Sequence, residues 1–396
     1  MKTLFYPCCE MVLDEGVIKD PLISMDKGIF KEIVSASPSE VTDAEVISYP
    51  PGTKIVPGFI DLHIHGTNRA DVMDAKEDTI PTMVRYLPGE GTTAFLATTL
   101  TQSKEKKKQS LQNAASYMSM PSTLGAELLG IHLEGPFISL KRAGAQPKEF
   151  IHKPDVSLFK EFQEASGGAI KLATIAPEEG MAFVRFLAQN NVIPSIGHSD
   201  ATYVEVREAA EQGAVHATHL FNGMRGIHHR DIGTAGGIFL HDSIKAELIA
   251  DGIHVSPEMI RLTYKNKGAD GIILITDAMR AKGLPDGQYD LGGQAVTVRG
   301  KKAELCDGTL AGSVLKMNEA VRNMVTFSGC SFNEAIAMAS LNPARQLGVD
   351  DRKGSIQIGK DADFAVLGSD FTIFETYCLG KRVYTYNGGR EDRESD

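Results

Sequence analysis

Residues 58–66, "GFIDLHIHG", place two histidines one residue apart behind an aspartate, at the end of an apolar, β-branched run. Successive side chains of a strand point to opposite faces, so Asp61, His63 and His65 share one face while Leu62 and Ile64 take the other. Two imidazoles on one face are either incidental or the start of a metal site, and the pair alone does not choose. Runs of the same texture return along the chain at near-regular intervals. They are "TTAFLATT" (92–99), "AELLGIHLEG" (126–135), "IKLATIAP" (170–177), "VIPSIGHSD" (192–200), "AVHATHLFN" (214–222), "KAELIADGIH" (245–254) and "GIILITDAM" (271–279).

Amphipathic stretches such as "MAFVRFLAQNN" (181–191) and "ATYVEVREAAEQG" (201–213) lie between the runs. Strands alternating with helices indicate parallel βαβ units. Eight such units are the count of an α/β (β/α)8 TIM barrel, whose functional groups sit at the C-terminal ends of the strands. A doubly wound sheet is the rival, but it does not normally place polar residues at the end of nearly every strand. The barrel is expected over 57–345. Residues 1–56 and 346–396 read instead as short alternating strands, for example "GIFKEIVSA" and "GKDADFAVL", and together predict a small β-sandwich domain built from both termini. The Gly-rich segment 279–312 is expected to form a hairpin over the barrel mouth. Ser331 with Glu334 forms a capping-box pattern that opens a helix over 332–347, closed by Gly348.

Of 396 residues, 42% are hydrophobic and 23% charged, ordinary values for a folded protein, and the formal net charge is −10. That balance argues against nucleic acid or an acidic membrane surface as a partner, since either needs a basic face. The five cysteines include the adjacent pair Cys8 and Cys9 and form no CxxC, which predicts reduced thiols in a cytoplasmic protein. Acidic residues interrupt the N-terminal stretch where a signal peptide needs its apolar core, and no run has the length of a membrane span.

The ends of the runs carry the chemistry. His132 and Glu134 close the third, His198 the fifth, His216 and His219 the sixth, His254 the seventh and Asp277 the eighth. Imidazole and carboxylate groups therefore fall at one structural level on several strands, the donor set that a first-row metal takes. Convergence of this kind turns the His63/His65 pair into part of a metal site.

The motifs "DLHIHG", "HLEGPF", "GHSDA", "THLFN", "ADGIH" and "LITDAM" resemble the amidohydrolase superfamily. Within it, "HLEGPF…KRAGAQPKEF", "THLFNGM" and "DGTLAGS" resemble the N-acetylglucosamine-6-phosphate deacetylase family, over nearly the whole chain. The resemblance implies hydrolysis of N-acetyl-D-glucosamine 6-phosphate to D-glucosamine 6-phosphate and acetate, within amino-sugar catabolism. It implies Glu134, His198 and His219 as ligands of a principal metal and His63 and His65 as ligands of a second, with Glu134 as the bridge. One or two divalent ions per chain are expected, two being the preferred reading because the HxH pair is kept, with zinc or iron foremost and manganese or cobalt as alternatives. By the same resemblance Asp277 is the general base and acid, and His254 meets the carbonyl oxygen or a sugar hydroxyl. Ala145, Asn222, Gly223, Leu310, Ala311 and Gly312 contact substrate. Arg230, in "GIHHRD" (226–231), is implied to reach the phosphate in the neighbouring subunit of a homodimer.

Other residues have plainer expectations. His132 and His216 are expected beside the ligands rather than among them, Asp61 to orient a histidine, and "KEKKKQ" (104–109) to be a solvated helix start. The rival functions are another amidohydrolase, acting on a cyclic amide or a different acylated amino sugar, and a non-catalytic barrel that kept the fold.

Overall fold

The computed structural model describes residues 1–120 and 125–386; residues 387–396, counted in the C-terminal part of the expected small domain, lie outside the described residues. All eight apolar runs are strands of one parallel sheet, arranged in sequence order. They span Phe59–Ile64, Thr92–Thr99, Glu127–Leu133, Ile170–Ile175, Ile193–Ile196, His216–Ala217, Lys245–Ile249 and Ile272–Ile275. The sheet closes where the first strand meets the eighth: Asp277 donates its N–H to His63 O at 2.8 Å, and His65 its N–H to Ala278 O at 2.9 Å. The chain therefore forms a (β/α)8 barrel. A helix follows each strand, from Thr79–Tyr86 after the first to Met317–Ser328 after the eighth.

Local chemistry accounts for the helix limits. Thr202 and Glu205 form a capping box at the start of Tyr203–Glu211, and Ser256 caps Pro257–Lys267 with proline at the first helical position. Ser331 and Glu334 form the expected box, and Gly348 ends the segment in a left-handed conformation. The single helix expected over 332–347 is, however, two, Phe332–Ala339 and Leu341–Leu347, broken at Ser340. Pro343 has no N–H to continue the ladder across that point, which accounts for the break.

Both chain ends supply a two-sheet sandwich. A four-stranded sheet holds Lys2–Phe5, Pro21–Asp26, Ile29–Ser35 and Glu45–Val46, and a six-stranded sheet pairs Glu10–Leu13, Gly16–Lys19 and Lys54–Pro57 with the C-terminal strands Phe364–Leu367, Ile373–Cys378 and Lys381–Thr385. Leu4, Met11, Ile23, Phe30, Ile55, Phe364 and Tyr377 form its core. Lys54–Pro57 runs through Gly58 straight into the first barrel strand. A Cβ on Gly58 would lie 2.1 Å from Thr93 Oγ1, so only glycine allows that junction.

The segment expected as a hairpin over the mouth is a three-stranded antiparallel sheet, Gly287–Leu291, Gln294–Arg299 and Lys302–Glu304. Val296, Val298 and Ala303 pack with Leu100, Met279 and Ala311, which fixes this sheet beside the C-terminal ends of the strands. Among the described residues no helix is long and apolar enough to cross a membrane.

Candidate active site

At the C-terminal mouth of the barrel lies a cleft of about 240 Å³, lined by His65, Glu134, His198, His219, His254 and Asp277 together with loop residues. His63 lies just beneath it, fully buried. His63 and His65 bring their Nε2 atoms to 3.4 Å of each other, and His198 and His219 bring theirs to 3.1 Å. Between the two pairs stands Glu134. Its Oε1 is 3.2 Å from His198 and 3.1 Å from His219, and its Oε2 is 3.3 Å from His65. Asp277 Oδ1 is 3.3 Å from His65 Nε2 and 3.5 Å from His63 Nε2.

The outer nitrogens explain why the inner ones converge. His63 Nδ1 meets Glu247 at 3.0 Å, His65 Nδ1 meets the Thr98 carbonyl at 3.2 Å, and His198 Nδ1 meets the Arg142 carbonyl at 2.8 Å. Each acceptor holds a proton on Nδ1 and so turns the Nε2 lone pair into the site. Lone pairs facing one another at such distances need a positive charge between them. The carboxylates create the same demand. Burial opposes charge on His63 and His65, yet Asp277, Glu247 and Glu134 raise His63 to about 9 and lift His65 well above its ordinary value. Burial likewise opposes charge on Glu134, but His63 and the hydrogen bonds from His198, His219 and His65 hold its carboxyl well below the usual range. Three donor groups lie close enough to hold an ion: His63–His65–Glu134, Glu134–His198–His219 and, fully buried behind the cleft, His63–His132–Glu247. The residues fit a divalent metal, and Glu134 belongs to both groups that reach the cleft.

His198, His219 and Asp277 all have positive φ, at 45°, 29° and 49°. Left-handed backbone at non-glycine residues is costly and collects at functional sites, where the surroundings enforce it. Here it aims three side chains from strand ends back over the barrel axis.

The expected substrate contacts divide by position. Ala145, Asn222, Gly223, Leu310 and Gly312 line the cleft, whereas Ala311 is buried behind it with its N–H on the Ala303 carbonyl at 3.0 Å. His254 lines the cleft and is held through Nδ1 by Asp251 at 2.7 Å. Arg230 stands outside on an exposed loop, 2.7 Å from the ring of His229.

His132 and His216 lie beside the ligand cluster, as expected. His132 bonds the Leu62 carbonyl and Thr174, and burial lowers it to about 3; His216 bonds Glu247 at 3.0 Å. Two expectations are corrected. Asp61 does not touch an imidazole: it accepts the Thr276 hydroxyl at 2.5 Å and the main-chain N–H of His63, tying the first strand to the eighth. "KEKKKQ" is not wholly solvated either, because Lys107 is buried and its Nζ donates to the carbonyls of Glu134 and Gly135 at 2.8 and 2.6 Å. Glu247 and Gln146 carry no expectation from the sequence, yet each bonds a member of the cluster.

Residues 55–383 match the amidohydrolase family. The chain belongs to that family. This amidohydrolase is 49% identical to the N-acetylglucosamine-6-phosphate deacetylase of Bacillus subtilis (strain 168), over 94% of its own length and 95% of the relative's. The solved N-acetylglucosamine-6-phosphate deacetylase of Thermotoga maritima superposes with a TM-score of 0.86 at 35% identity, covering 96% of this amidohydrolase and 100% of that chain. A mutant of the Mycobacterium smegmatis N-acetyl-D-glucosamine-6-phosphate deacetylase, solved in complex with N-acetyl-D-glucosamine-6-phosphate, superposes with a TM-score of 0.90 at 28% identity, covering 97% and 99%.

Proposed function

We propose that this amidohydrolase hydrolyses the acetamide of N-acetyl-D-glucosamine 6-phosphate, giving D-glucosamine 6-phosphate and acetate. The observation that carries the reading is Asp277, a carboxylate at the cleft floor within 3.3 Å of a histidine–glutamate cluster able to hold metal. Identities of 49% and 48% to deacetylases of this sugar phosphate, over 94% and 85% of the chain, support the substrate.

The roles follow from the side chains. His63, His65, Glu134, His198 and His219 hold one or two divalent ions, two being favoured because both donor groups that reach the cleft are complete. Their imidazole and carboxylate donors suit zinc or iron. An ion held there would supply polarisation of the acetamide carbonyl and acidification of water. Burial works against charge on Asp277, but His63 and the His65 hydrogen bond hold its carboxyl below the ordinary value, so it is ionised at neutral pH. It accepts a proton from the attacking water and delivers it to the departing amine nitrogen. His254, its Nδ1–H held by Asp251, meets the substrate through Nε2: the neutral ring accepts from a sugar hydroxyl, and the doubly protonated ring donates to the developing oxyanion. Ala145, Asn222, Gly223 and the 310–312 segment hold the sugar.

The substrate's phosphate needs cations, and among the described residues lining the cleft none is lysine or arginine. Arg230, exposed and not among the residues that line its own cleft, suits the phosphate in the other subunit of a homodimer. The catalytic unit is 57–345, with 1–56 and the described residues of 346–386 as the sandwich, in a cytoplasmic enzyme.

Turnover of N-acetyl-D-glucosamine 6-phosphate against unphosphorylated N-acetylglucosamine tests the reading. Loss of the charged hydrogen bonds to phosphate should lower kcat/KM at least about 100-fold. Equal turnover of the two sugars would sink both the substrate and the Arg230 role. Asp277→Asn should lose roughly 100- to 10,000-fold in kcat while retaining metal; normal hydrolysis by that variant would exclude Asp277 as the base.

A further inference from the structure

Gln146 is a buried side chain that touches the ligand cluster and has no task in the reading above. It lines the cleft and is 4% exposed. Its Oε1 accepts the N–H of Thr101 at 2.8 Å, and its Nε2 donates to Glu134 Oε2 at 2.6 Å. These partners determine which end of the amide is which. Turned over, it would set its NH2 against an N–H and its carbonyl against a carboxylate. Thr101 follows the second barrel strand, so the amide is a strut from that strand to the glutamate that closes the third.

The strut bears on how Glu134 stands. One carboxylate oxygen faces His198 and His219 and lies 3.6 Å from His63, and the other faces His65. The terminal torsion of a glutamate is broad, so a carboxylate without a further partner can swing both oxygens toward one pair. Lys107 holds the main chain of Glu134 through its carbonyl, which leaves that torsion free. The Gln146 amide is what fixes it. A hydrogen bond to a charged acceptor in a buried site is strong and directional.

We propose that Gln146 is a positioning residue: it locks the Glu134 carboxylate so that Oε2 stays on His65 while Oε1 serves His198 and His219. The proposal rests on Glu134 being a metal ligand. Removal of such an outer partner typically weakens metal binding by roughly 10- to 100-fold.

The test titrates the native protein and Gln146→Leu with zinc, and separately with cobalt, in competition with a chelator, with thermal melting run in parallel. The expected result is a folded variant whose affinity falls roughly 10- to 100-fold, and whose turnover rises again as free metal is raised. A lowered melting temperature with unchanged metal affinity would mean that Gln146 only braces the loop, and would overturn the proposal. Gln146→Met, which keeps the unbranched shape, takes over if the leucine variant does not fold. Native protein that binds neither ion would defeat the metal reading itself. Native protein that binds, with variants that bind as tightly, defeats only the role of Gln146.

Discussion

Three donors converge on the buried carboxylate of Glu247, which itself stands off the cleft: His63 Nδ1, His216 Nε2 and the main-chain N–H of His219, each at 3.0 Å. Burial opposes its charge, but His63 and His216 hold it well below the ordinary range, so it stays an acceptor for all three. In Glu247→Gln the amide must turn an NH2 toward at least one of them, and His63 loses its fixed tautomer or its orientation. Metal affinity should fall roughly 10- to 100-fold, read as the metal retained after dialysis against a graded chelator; full retention would show that the histidines are oriented without it. Neither Glu247 nor Gln146 was legible in the sequence. His63, Glu134, His198, His219 and Asp277 were, because ligand types recur at the ends of several strands and the recurrence is itself the signal. Glu247 lies within the run "KAELI" and Gln146 within a loop, where a lone polar residue has no pattern to join. Asp61 was misread for a related reason. It shares a face with the histidines but sits deeper in the strand, level with Thr276, so main chain and hydroxyl take its oxygens.

At the scale of elements, apolar β-branched runs translate into strands reliably because a barrel strand is covered on both faces and needs no polar alternation. Helix faces are harder to read when charges cluster. Four lysines stand in "KEKKKQ", yet the helix Lys104–Met118 turns one of them, Lys107, toward the strand ends. The sequence offers no ground for singling it out, since its neighbours on the helix are equally charged. Its environment differs: burial lowers its pKa to about 7, against the pull of Glu134, while the carbonyls of Glu134 and Gly135 take its donors. Lys107→Met should destabilise the protein by about 3 kcal/mol, since two buried carbonyls lose a charged donor. Lys106→Met, on the exposed side, should stay within about 0.5 kcal/mol. Thermal melting of the two variants side by side checks the contrast. Equal midpoints would mean that water replaces the ammonium at those carbonyls.

On the scale of the whole molecule, period-2 alternation at both termini announced the sandwich, but nothing in the sequence said how it grips the barrel. Part of the grip is apolar, since Val12, Val56, Leu367 and Ile373 share a core with Phe59, Ile60 and Leu274 of the barrel, and part is a charge cluster. Lys353 Nζ lies 2.8 Å from Glu127, which opens the third barrel strand, 3.0 Å from Asp361 and 2.5 Å from Asp363 beside the C-terminal strands. Arg352 reaches Glu127 and Asp361, both at 2.6 Å. Glu127 lies 225 residues before Arg352, so only the folded chain brings it to the other four. Burial opposes charge on Lys353, but the three carboxylates, Asp363 foremost, hold its proton more tightly than in the unfolded chain. Its contribution is therefore complete below about pH 10.4, the unfolded value, and is lost as pH rises beyond it. Glu127 runs the other way: burial is outweighed by Arg352 and Lys353, its pKa is lowered, and its contribution is lost as pH falls below about 4.3. Lys353→Met strands Asp363, which is 6% exposed, with no cation beside it. The variant should lose about 3–5 kcal/mol at pH 7. Its deficit should shrink toward pH 5, because a stranded carboxylate has a raised pKa and can take up a proton in the folded state. Unfolding midpoints of both proteins at the two pH values decide the point. A deficit that does not change with pH would mean that Lys353 joins the domains through the packing of its stem rather than through its charge.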